Sequence, residues 1–156
     1  MMKYITRSEG DTLRFAGALS EMLSAGDSVL LHGDLGAGKS VFARGVARAL
    51  GISGAMPSPT FTLLIPYEGR MKLYHFDLYR LNDPDEFYAA GLDEFIGGDG
   101  VALIEWPEMA EIDPVPALHV TISRGACGDE NLREIEIEAI GRAFDGKLLA
   151  EWRTEH

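Results

Sequence analysis

The eight residues Gly33-Asp-Leu-Gly-Ala-Gly-Lys-Ser40 constrain this chain more than any other stretch. They fit G-x-x-x-x-G-K-[ST], the phosphate-binding Walker A loop. The flanking sequence is what such a loop requires. Ser28-Val-Leu-Leu-His32 reads as a short apolar strand before it. After it, Phe42, Val46 and Leu50 recur four apart, as on a helix that opens at Lys39, packs on a sheet and turns Arg44 and Arg48 to water. In that setting Gly33, Gly36 and Gly38 let the backbone wrap so that successive N–H groups face phosphate oxygens at the positive end of the helix. Lys39 is placed to reach the β- and γ-phosphates and the Ser40 hydroxyl to ligate Mg²⁺. The expected nucleotide-binding stretch is Gly33, Asp34, Leu35, Gly36, Ala37, Gly38, Lys39, Ser40 and Val41. A guanine pocket usually carries Asn-Lys-x-Asp, which is absent from this sequence, so ATP is the expected nucleotide.

The rest of the chain reads as an α/β domain around that loop. A strand near Lys3–Thr6 precedes a helix capped by Ser8, with Phe15, Leu19, Met22 and Leu23 at helical spacing and Gly26 as its stop. Thr62–Tyr67 and Met71–Leu78 read as a hairpin turning at Glu68-Gly-Arg70, and Asp83-Pro84 starts a short helix. Val101–Ile104 is the most apolar strand, as expected for one buried on both faces. Leu118, Val120 and Ile122, and then Ile135, Ile137 and Ala139, alternate with polar residues, the mark of an antiparallel pair with one wet face. A closing helix is expected over Arg142–Trp152. With no repeat and no linker, residues 1–156 read as a single three-layer P-loop NTPase-like domain, with a mixed, mainly parallel central sheet and antiparallel additions.

A P-loop protein also needs a carboxylate at the end of a neighbouring strand, and two fit. Glu105 closes the apolar strand Val101–Ile104, and Asp77 lies near the end of Leu73-Tyr-His-Phe-Asp77. Together with Lys39 they are the expected catalytic residues, one carboxylate holding metal and the other orienting water. Ser40 and Glu105 are the expected metal ligands. Thr60, in Ser58-Pro59-Thr60-Phe61, sits where P-loop proteins carry a mobile switch and is placed to bond γ-phosphate or Mg²⁺. Trp106 suits either core packing or stacking and partner contact. The four histidines have no metal spacing and read as structural or exposed, and Cys127 has no base near it in sequence.

Charge narrows the partners. The chain has 14 Lys and Arg against 25 Asp and Glu, a net charge of −11. Residues 1–78 hold eight bases and seven acids; residues 79–156 hold six and eighteen. Between Leu81 and Ser123 there is no Lys or Arg, whereas ten acids fall there: Asp83, Asp85, Glu86, Asp93, Glu94, Asp99, Glu105, Glu108, Glu111 and Asp113. Direct strong binding to nucleic acid is not expected of such a chain, because affinity for a polyanion comes mostly from cationic side chains. The acidic run reads as solvated surface or as a face for a basic partner. A single cysteine permits no intrachain disulfide, and no apolar run exceeds four residues, so a cytoplasmic protein without a membrane span is expected.

Four of these pieces resemble one family. Gly33-Asp-Leu-Gly-Ala-Gly-Lys-Ser40, Ser58-Pro-Thr-Phe61, His75-Phe-Asp-Leu-Tyr-Arg80 and Leu103-Ile-Glu-Trp106 follow the order and spacing of the TsaE (YjeE) P-loop ATPases, over roughly residues 8–125. One departure is Ser40, where that family usually has Thr; both supply a hydroxyl. The resemblance implies that nucleotide and metal residues fall on Gly33–Ser40 and Glu105, with Asp77 and Trp106 at further functional positions. It also implies a Mg²⁺-dependent ATPase, slow alone, that docks on the partner proteins TsaD and TsaB. Those partners carry the transferase that makes threonylcarbamoyladenosine in tRNA, and hydrolysis resets the complex. Two other classes share a P-loop and this size. A small-molecule kinase normally covers the phosphates with an arginine-bearing lid, which the base-free stretch after Leu81 does not supply. The other is a binding module in which hydrolysis is incidental.

Overall fold

The computed structural model describes residues 1–54, 63–125 and 130–154. Seven strands form one sheet in the order β1-β7-β6-β2-β5-β4-β3. They are β1 (Met2–Thr6), β2 (Ser28–His32), β3 (Leu64–Glu68), β4 (Lys72–Asp77), β5 (Gly100–Glu105), β6 (Ala117–Arg124) and β7 (Arg133–Ile140). The middle is parallel: β2 lies between β5 and β6, and β4 continues beyond β5. Antiparallel pairs close the two sides, β6 with β7 and β7 with β1 on one, β3 with β4 on the other. β5 is buried along its whole length, which is why its sequence is a continuous apolar run. All four parallel strands end at the same edge, where ligands of open α/β sheets gather.

Helices α1 (Glu9–Ser20) and α2 (Lys39–Ala49) pack together on one face with the 3₁₀ run Gly146–Trp152. Phe15 is fully buried there between the rings of Tyr4, Phe42 and Trp152, at centroid distances of 5.2, 6.3 and 5.4 Å. The other face carries α3 (Pro84–Ala89) and 3₁₀ turns at Leu92–Phe95 and Pro107–Ala110, around Phe76, Phe87 and Ile104. Thr121, Ser123, Glu134 and Glu138 are exposed on β6 and β7, while Ile122, Ile135 and Ile137 are buried, so the wet face expected of this pair is present.

Two helix boundaries differ from the sequence reading. Ser8 caps α1 by accepting from the Asp11 N–H at 3.0 Å. However, α1 stops at Ser20, not at Gly26. Glu21, Met22 and Leu23 instead bond carbonyls three residues back, a tightened last turn that still buries Leu23. Asp27 then ties the chain off by accepting from the Ser24 N–H at 2.8 Å. At the other end, the helix expected over Arg142–Trp152 is only a 3₁₀ run from Gly146. Arg142 is held out of it by bonds to Asp27 at 2.5 Å and to the Met22 carbonyl at 2.8 Å.

Because Phe15 joins β1, α2 and the C-terminal run, Phe15→Ala is expected to cost about 3–5 kcal/mol in stability, the range for truncating a buried phenylalanine. Urea unfolding measures it; a loss below about 1 kcal/mol would mean that this face is not the main core.

Candidate functional site

The loop after β2 is shaped by close approach. Gly33 has φ +150°, and a Cβ there would sit 2.5 Å from the Ile122 carbonyl oxygen of β6, so only glycine fits. Gly38 has φ +112° at the cap of α2, again left-handed backbone that favours glycine. The Arg133 Nε donates to the Ala37 carbonyl at 2.7 Å and the Arg124 Nη2 to the Gly36 carbonyl at 3.3 Å. The peptide is planar and trans, so a carbonyl held by Arg133 turns the Gly38 N–H the opposite way.

Lys39 is 6% exposed. Its Nζ donates to the Gly33 carbonyl at 2.6 Å and lies 3.7 Å from the centre of the Trp106 ring. Burial holds its pKa below the usual lysine range, against the upward pull of Glu105, Asp77, Glu108 and Asp34. Trp106 reaches it through an uncommon backbone: at φ +58° the chain turns sharply after β5, and the indole also meets the Tyr79 ring at 4.8 Å. Trp106 thus packs against Tyr79 and lines the cleft.

The two carboxylates are neighbours by register. Asp77 on β4 is paired with Glu105 on β5, and Glu105 in turn with Leu31 on β2, one residue short of the strand's end. Asp77 and Glu105 are 8% and 7% exposed. An Asp77 oxygen accepts from the Tyr79 N–H at 3.1 Å, and Glu105 Oε2 lies 2.8 Å from His75 Nε2.

A cleft of about 410 Å³ gathers these groups. It is lined by Leu35, Gly36, Gly38, Lys39, Ser40, Val41, Asp77, Glu105 and Trp106 of the expected residues, joined by Glu9 and Thr12 of α1 and by Asn131 and Arg133. Gly33, Asp34 and Ala37 line a second hollow on the loop's outer side, with Thr121–Arg124 of β6. Thr60 and its neighbours Ser58, Pro59 and Phe61 lie outside the described residues, as does Cys127. A site with one buried cation, two carboxylates, a hydroxyl and a glycine-shaped turn at a helix N-terminus can bind a polyanion together with a hard cation.

Several contributors went unrecognised in the sequence. Arg124 and Arg133 face each other directly across β6 and β7. Like charges so placed repel unless each has an acceptor, and two arginines flanking a turn were the available signal. His75, buried on β4, touches Glu105. Although they lack metal spacing in sequence, His32 and His119 stack at 5.2 Å with their nitrogens 3.0 Å apart. Among the described residues no group of three or more His, Cys, Asp or Glu is arranged to hold a metal, and no helix is long and apolar enough to cross a membrane. The acidic run is not one surface either. Glu105 is buried in the cleft, whereas Asp99 is exposed and bonded by Tyr74 at 2.6 Å and Lys72 at 3.0 Å, which hold its carboxyl below the usual range.

Residues 6–135 match the family model described as threonylcarbamoyl adenosine biosynthesis protein TsaE. The chain belongs to the TsaE family. The TsaE protein of Treponema pallidum is 43% identical over 136 residues, covering 87% of this chain and 99% of that relative. Bacillus subtilis TsaE is 38% identical over 157 residues, covering 99% and 95%. The crystal structure of Bacillus subtilis YdiB superposes with a TM-score of 0.75 at 37% identity, covering 90% of this chain and 86% of that one. The match to TsaE runs from the last residue of β1 through both carboxylates into β7, so all of the cleft-lining residues lie within it.

Proposed function

We propose that this chain binds ATP and Mg²⁺ in the cleft and hydrolyses the γ-phosphate, serving the modification of tRNA adenosine 37 to threonylcarbamoyladenosine in the cytoplasm. The observation that carries this reading is the convergence of Lys39, Ser40, Asp77 and Glu105 on one cleft at the carboxyl edge of the parallel strands. Membership of the TsaE family supports the pathway.

The donor set suits Mg²⁺, a hard cation that takes few protein oxygens and shares the rest of its shell with water and phosphate. The Ser40 hydroxyl and Glu105 would hold it, and once bound it neutralises charge on the β- and γ-phosphates. The chain's own part is mostly placement. N–H groups of the glycine loop and Lys39 fix the phosphates, and the loop keeps its shape because Arg133 and Arg124 hold its carbonyls. Asp77, level with Glu105, orients the attacking water, which takes the γ-phosphoryl group and leaves ADP and inorganic phosphate.

Hydrolysis alone makes no carbon–nitrogen bond, so the ATPase works for a transferase, here TsaD with TsaB. Those partners hold the tRNA, and a chain of net charge −11 meets them through protein contacts. The exposed acids of α3 and the turns after it, among them Asp85, Glu86, Glu94 and Glu108, form part of that contact. Calorimetry tests the ligand first. ATP and ADP with Mg²⁺ are expected to bind more tightly than GTP, and equal or tighter GTP binding would overturn the ATP assignment.

A further inference from the structure

His75 and Glu105 meet because of strand geometry. His75 on β4 is opposite Leu103 on β5, and Glu105 follows Leu103 by two residues, so both side chains leave the sheet on the same face. Leu73 and Leu103, one step back on each strand, lie in the core under α2, which fixes that face as the one carrying the glycine loop. The two groups are 4% and 7% exposed, and their Nε2 and Oε2 atoms are 2.8 Å apart.

A carboxylate only accepts hydrogen bonds, so His75 Nε2 carries the proton and donates it. The other ring nitrogen, Nδ1, is buried with no partner among the described residues. Buried polar atoms are nearly always satisfied, and an aliphatic side chain of similar size fills the same space without an orphan. The bond to Glu105 is what an imidazole adds here over a leucine.

We propose that His75 is the positioning residue for Glu105, holding its carboxylate in the single orientation from which it takes Mg²⁺ beside the phosphates. The inference rests on the nucleotide reading above and deepens it. One oxygen of Glu105 is tied to His75, so the carboxylate meets the metal with a fixed rotation and does not have to be ordered on binding. Hydrogen-bonded supporters of a ligating group commonly matter 10–100-fold for metal affinity or activity, by about that order.

The test compares wild type with His75→Leu and His75→Gln. The leucine keeps volume and removes the donor, and the glutamine amide restores an N–H at about the reach of Nε2. Mn²⁺ binding to the ADP-loaded chain is followed by electron paramagnetic resonance, and metal-free ADP affinity by calorimetry. Expected for His75→Leu is metal-free ADP affinity within about threefold of wild type and Mn²⁺ affinity weakened by about 10–100-fold, with His75→Gln recovering most of the loss. Unchanged Mn²⁺ affinity in His75→Leu, or an equal loss in both variants, would overturn the proposal, because a packing role treats the two alike. Nitrogen NMR of the unmutated chain reads the tautomer without any ligand. A proton on Nε2 is expected, and an Nε2 that carries none would overturn the bond itself. Wild type that took neither ADP nor Mn²⁺ would overturn the nucleotide reading and the metal role together, while the tautomer would still report on the pairing.

Discussion

Lys39→Met is expected to lower partner-stimulated ATP turnover by about 10²–10³-fold, the usual effect of removing one fixed charge from a phosphoryl-transfer site. The substitution keeps an unbranched apolar stem against Trp106, so packing survives and charge is what is lost. That charge does two things in the cleft. Its Nζ closes the loop by donating to the Gly33 carbonyl at 2.6 Å, and it lies in the field of Glu105 and Asp77. Without it, two buried carboxylates face the incoming phosphates with one positive charge fewer to offset their repulsion. Both nucleotide affinity and turnover therefore fall, and calorimetry with steady-state kinetics separates them. Turnover within about twofold of wild type would remove Lys39 from the chemistry.

Glu105→Gln is expected to act on turnover far more than on nucleotide binding. The amide is nearly isosteric and still accepts from His75 through its oxygen, so the strand edge keeps its packing. It carries no charge and is a much weaker metal ligand. Turnover is expected to fall by about 10²–10⁴-fold, while metal-free ADP affinity stays within about threefold. Asp77→Asn, measured beside it, divides the two roles. A variant whose loss is relieved by excess Mg²⁺ has lost a metal contact, and one that is not relieved has lost the placement of water. A Glu105→Gln chain that hydrolysed ATP at the wild-type rate would contradict the assignment of Glu105.

The parts of the fold that sequence announced were those with strong local causes. The glycine loop, the apolar strand before it and the helix after it form one motif, and Val101–Ile104 is apolar because both of its faces are covered. Features set by distant contacts were harder to read. Arg142 leaves the C-terminal helix unformed up to Gly146 because it is drawn into a buried pair with Asp27, 115 residues away in sequence. His75 and Glu105 meet only once β4 and β5 are in register, and nothing in either strand's own pattern marks a histidine as the one beside a carboxylate. Arg124 and Arg133 flank a turn, so their shared hold on the glycine loop depends on β6 lying next to β2. Glu105 illustrates the opposite hazard: placed among nine other acids, it counts as surface charge by composition, yet strand periodicity puts it inside.

The most direct test of the central claim is ATP turnover by the purified chain with and without TsaB and TsaD, using label in the γ-phosphate. The account predicts slow hydrolysis by the chain alone, clear stimulation by the two partners together, and label released as inorganic phosphate. No stimulation by the partners, or label transferred to a small molecule instead of water, would contradict it.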